Sequence, residues 1–118
     1  PHYANEFEAG FYEETDIASL PDYPEGYLVH NLEHGYVIFW YNCNLLDDNN
    51  CSVLKTQIQS VMNAFNSAKL IAFPWESLNV PVAMTSWGQL QEFEVFKEDL
   101  AATFVVRNRN RAPEPNAP

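Results

Sequence analysis

The chain predicts an α/β (α+β) domain: a small mixed β-sheet of three or more strands carrying two amphipathic helices. Three observations predict it. The run Tyr36-Val37-Ile38-Phe39-Trp40-Tyr41 is continuously apolar and rich in β-prone residues, as expected of a strand covered on both faces. Leu54, Ile58, Val61, Met62 and Phe65 recur on one face of a helix. The 118 residues are 47% hydrophobic and 14% aromatic, enough to close a single core.

The elements follow in order. Residues 1–27 keep no sustained period. Phe7, Phe11, Tyr12, Tyr23 and Tyr27 are scattered among acids, with Pro21, Pro24 and Gly26 as breakers. This reads as an extended acidic arm held to the domain by its aromatics. The domain proper occupies residues 28–107. Its first strand is the apolar run, followed by a polar loop between Cys43 and Cys51. Ser52 then caps a helix that ends near Asn66 and Ser67. Lys69 to Phe73 forms a second strand, stopped by Pro74. Pro81 to Trp87 forms a third, stopped by Gly88. Phe93, Phe96, Leu100 and Phe104 mark a second helix, with Glu92 and Glu94 at its start and Arg107 at its end, as the helix dipole favours. Residues 108–118 form a Pro-rich tail. The order is arm-β-α-β-β-α. The proline-led strand at Pro81 resembles that of thioredoxin-like folds, but the redox cysteine pair of those folds is missing, so the similarity extends to architecture only.

Charge and length narrow the function. Sixteen acids against six bases give a net charge of −10. Nucleic acid is excluded as a partner, because phosphate binding needs clustered Lys and Arg. No apolar run approaches the roughly 18 residues of a transmembrane segment. The chain begins at Pro1 rather than Met. This reads as a processed or partial chain, in which any signal peptide or membrane anchor would lie upstream. Cys43 and Cys51 flank a short loop, and an even count in that setting predicts a disulfide and an oxidising compartment.

The chemistry concentrates in His30-Asn31-Leu32-Glu33-His34-Gly35. Two of the three histidines lie here, and the third is His2. On a helix, residues four apart are neighbours, with about 5–6 Å between Cβ atoms. On a strand they stand about 13 Å apart and cannot share an ion bound at about 2 Å. A shared site therefore needs a turn within Asn31-Leu32-Glu33. The spacing also matches an inverted zinc-protease pattern. That pattern requires a long helix, whereas this box runs into Gly35 and a β-rich stretch. His30 and His34, with His2 and with Glu33 as ligand or orienter, form a candidate copper or zinc site, and Met84 is a candidate weak axial ligand for copper. The structural alternative is a polar hinge of backbone-bonded imidazoles, with Glu33 paired to a late arginine. No nucleophile elbow, phosphate loop or dinucleotide box is present, so the sequence reveals no reaction.

Pro1-His2-Tyr3, the box from Val29 to Gly35, Val37 to Tyr41, Pro81 to Gly88 and Arg111 to Glu114 occur in an order that resembles the bacterial and archaeal family called domain of unknown function 3105. The resemblance spans nearly the whole chain and implies an extracytoplasmic protein with an upstream signal or anchor. It carries over no catalytic role, since the family has none established. Its motif histidines correspond to His2, His30 and His34. The Cys43–Cys51 loop departs from the pattern, as does Met84, where an aliphatic residue is usual. The expectation is a non-catalytic extracytoplasmic metal-binding module. The alternative is an accessory subunit of a membrane or cell-surface complex, docked by its arm and tail.

Overall fold

The computed structural model describes residues 6–20 and 23–116. Five strands form one mixed sheet: β1 (Gly10–Phe11), β2 (Val37–Tyr41), β3 (Leu70–Pro74), β4 (Val82–Ser86) and β5 (Gln89–Phe93), in the order β1-β3-β2-β4-β5. β3 runs parallel to β1 and β2, while β4 is antiparallel to β2 and β5. Three helices complete the fold: α1 (Pro24–Glu33), α2 (Asp48–Ala64) and α3 (Glu98–Asn108).

Strand alternation divides the interior in two. Val37, Phe39, Tyr41, Leu70, Ala72, Val82 and Met84 point to one face, where Leu54, Ile58, Val61 and Met62 of α2 and Ala101, Phe104 and Val105 of α3 meet them. Ile38, Ile71 and Phe73 point to the other face, where they pack with Leu28 of α1, with Tyr36 and with Phe7 of the arm. The central strands are therefore buried on both faces, which is why β2 reads as one unbroken apolar run.

Several local expectations are corrected. α2 begins four residues before Ser52, because Asp47 caps it: its carboxylate accepts the Asn50 N–H at 2.7 Å. The Cys43–Cys51 disulfide is present and ties the first turn of α2 to the 3-10 turn Cys43–Leu45. The helix expected from Phe93 starts only at Glu98. Trp87-Gly88, with Gly88 at φ +79°, instead turns the chain into β5, and Phe93 belongs to that hairpin, opposite Val82. The arm is not extended throughout. It supplies edge strand β1 and the 3-10 turn Glu14–Ser19, and α1 crosses its expected boundary at residue 27. Among the described residues, no helix is long and apolar enough to cross a membrane.

Candidate metal centre

The box is helical through Glu33. Pro24 occupies the first turn of α1, where its missing N–H costs nothing, and Glu25 follows where the dipole favours an acid. The inward face carries Leu28 together with His30 and Asn31, all buried. Two polar residues on the buried side dilute the hydrophobic periodicity, so the sequence did not read as a helix. His34 caps the C-terminus, and Gly35 (φ +88°) turns the chain into β2. A Cβ on Gly35 would lie 2.6 Å from the Asn110 Cα, so both conformation and space require glycine.

The α1 helix, continuous through Asn31, Leu32 and Glu33, takes the place of the turn expected there and makes the two histidines neighbours. The His30 and His34 rings lie 4.4 Å apart between centroids, inclined at 68°. Glu6 of the arm joins them: one ligand atom from each of Glu6, His30 and His34 lies within 4.8 Å of the other two. Zinc–ligand bonds of about 2.0–2.2 Å hold donor atoms roughly 3–3.6 Å apart. The group therefore needs only a contraction of about an ångström to close on an ion.

His34 stands between two carboxylates. Glu6 Oε2 lies 2.7 Å from Nδ1, and Glu114 Oε1 lies 3.0 Å from Nε2. The Glu6 contact has the length of a strong hydrogen bond but not its alignment. Nδ1 is left buried without a hydrogen-bond partner among the described residues. This buried Nδ1 lies beside a part-buried carboxylate oxygen, which among the described residues accepts only a long 3.5 Å hydrogen bond from Asn31 Nδ2. With no aligned proton between the two, they make a site suited to a cation.

Asn31 builds the wall of this site. Its Oδ1 accepts the Phe7 N–H at 3.0 Å, and its Nδ2 donates to the Phe7 carbonyl at 2.9 Å. This two-way clamp sets the arm against α1 and places Glu6 beside the histidines. The tail closes the other side as a strap. The Asn110 N–H donates to the Gly35 carbonyl and the Glu114 N–H to the Glu33 carbonyl, at 2.8 and 2.9 Å. Lys69, itself at φ +57°, donates through Nζ to the carbonyls of His34 and Pro115 and to Asn110 Oδ1, each at 2.8 Å. Burial lowers the pKa of the Lys69 ammonium from its ordinary value. Glu6 pulls it back up and Arg109 lowers it further.

The sequence-derived candidates divide clearly. His30 and His34 are brought together. Glu33 is not in the group, although its Oε1 is buried and makes no hydrogen bond among the described residues. His2 lies outside the described residues. Met84 is fully buried among the side chains facing α2 and α3, on the sheet face away from α1, and so is not brought to the histidines. Glu6, Asn31, Lys69 and Glu114 were not singled out as site residues. Glu114 had a signal, since it ends the shared segment from Arg111. Glu6 had none to separate it from the other acids of the arm. A second cluster, Glu14 with Cys43 and Cys51, offers no thiolate, because its sulfurs are bonded to each other.

The family profile described as protein of unknown function (DUF3105) matches residues 1–118, the whole chain. The chain belongs to the DUF3105 family. No curated protein and no solved structure matches it. For this DUF3105 domain, function has to be argued from the site.

Proposed function

We propose that this DUF3105 domain is an extracytoplasmic metal-binding module that holds one divalent ion through Glu6, His30 and His34. The observation that carries the reading is His34 Nδ1, buried beside Glu6 Oε2 without an aligned hydrogen bond. Imidazole and carboxylate donors suit copper(II) and zinc, and the usual affinity order for divalent ions puts copper first. With Met84 on the other face, no soft ligand favours copper(I). His2 is the candidate for a third imidazole, and Glu33, with its orphan oxygen, for a further ligand or for a group that orients one. The role is carriage of the ion or a structural or redox site, without substrate turnover. The disulfide supports an oxidising compartment.

The test is elemental mass spectrometry on untagged protein, beside a His30→Ala, His34→Ala double variant whose folding is checked by circular dichroism. About one equivalent of copper or zinc per chain, lost in the folded variant, is expected. Metal-free protein after incubation with each ion, under oxidising and reducing conditions alike, would sink the reading. Location is tested by thiol trapping in intact cells, where Cys43 and Cys51 should resist alkylation; two freely labelled thiols would refute an oxidising compartment.

A further inference from the structure

We infer that Glu114 is a positioning residue, which orients His34 from the C-terminal strap so that Nδ1, not Nε2, faces the ion. The inference rests on the metal-binding reading above and adds the ligating atom and the group that selects it. His34 has one carboxylate at each ring nitrogen, but the two sides differ. On the Nδ1 side, the Glu6 oxygen belongs to the three-residue cluster, and Nδ1 has no hydrogen-bond partner among the described residues. On the Nε2 side, Glu114 stands outside the cluster, with its side chain 46% exposed. A neutral imidazole carries its proton on one nitrogen only. The half-exposed Glu114 carboxylate lies 3.0 Å from Nε2 as an ion-pair contact. From this proximity, not from an aligned hydrogen bond, we infer that it keeps the proton on Nε2 and leaves the Nδ1 lone pair for the ion. A ligating histidine commonly gives its other N–H to a carboxylate in this way, which fixes the ring and raises its basicity.

The strap is built to deliver that carboxylate. The Glu114 backbone N–H is bonded to Glu33, the residue before His34, and Lys69 holds the next carbonyl, that of Pro115. Glu114 is therefore fixed on both sides along the backbone, and its reach to His34 is set by the fold.

The experiment compares wild type, Glu114→Gln and the control Glu94→Gln, an exposed acid outside the site, loaded with zinc alone. Affinity is read by competition with a chelating dye, and the coordinated nitrogen of His34 by long-range proton–nitrogen NMR. We expect Nδ1 coordination in wild type. In Glu114→Gln we expect affinity about 10–100-fold weaker, with the single Nδ1-bound His34 signal lost. The control should match wild type. Nε2 coordination in wild type, or unchanged affinity and an unchanged His34 signal in Glu114→Gln, would overturn the positioning role and leave metal binding standing. No zinc uptake by wild type would instead overturn the metal reading itself, and this inference with it.

Discussion

The two faces of the sheet are built differently. Toward α2 and α3, apolar side chains pack at regular intervals, and the contacts come from long periodic elements. Toward α1, a short helix with histidine and asparagine on its buried side is held by pieces from both ends of the chain. The first face supplies cohesion, because apolar burial is non-directional and scales with area. The second supplies placement, because each hydrogen bond fixes one atom against another. The candidate site lies on the second face, where Glu6, His30, His34 and Glu114 come from three separate stretches of sequence.

The sharpest way to break this contrast is Phe39→Ala. Phe39 is fully buried on the α2/α3 face and packs against Phe96. Its truncation should cost about 3–5 kcal/mol, read as a lowered midpoint in urea. If the folded fraction of that variant loses metal affinity as well, the faces are not independent. Next comes Asn31→Ala, which strands the buried N–H and carbonyl of Phe7. The loss should be about 2–4 kcal/mol, since each stranded group costs roughly 1–3 kcal/mol. Here metal affinity should fall together with stability, because Glu6 is released; retained affinity would argue that Glu6 is no ligand.

The smallest effect is a pH dependence that joins the faces. The Tyr41 hydroxyl, on the α2/α3 side, donates to the Tyr12 carbonyl of the arm at 2.6 Å. Burial pushes the Tyr41 phenol up from its ordinary value of 10.0, with Glu14, Glu13 and Asp16 adding to the shift. Burial likewise raises Tyr12 and Tyr36. A raised folded pKa means that the native state holds protons that the unfolded chain releases. Stability is therefore full below the ordinary tyrosine pKa of about 10 and declines as pH rises above it. Ultraviolet titration of native protein should show these phenols ionising late. A single transition of all tyrosines at the ordinary value, without unfolding, would contradict the packing of the arm.

The first face was legible in the sequence because its signals are local. Val37 to Tyr41 is apolar throughout, and Leu54, Ile58, Val61 and Met62 repeat with the helical period. At Phe93 and Phe96, a strand residue and a loop residue three positions on imitate a helical spacing. α1 was hidden for the opposite reason: its buried face includes His30 and Asn31, so its pattern is not hydrophobic. The histidines could still be found, because two of only three histidines fall four residues apart.

By itself, the sequence determined the mixed α/β class, the central strand, two of the helices, the disulfide pair and the histidine box, each of which depends on neighbours within a few turns of chain. Only the tertiary structure decided which acids face those histidines. Glu6 and Glu114 are 108 residues apart; nothing local distinguishes Glu6 from the other acids of the arm, and the segment that ends at Glu114 does not reveal what that carboxylate faces. They are selected by the Asn31 clamp, the space left by Gly35 and the Lys69 clasp. Those are contacts between distant segments, and they exist only once the chain has closed on itself.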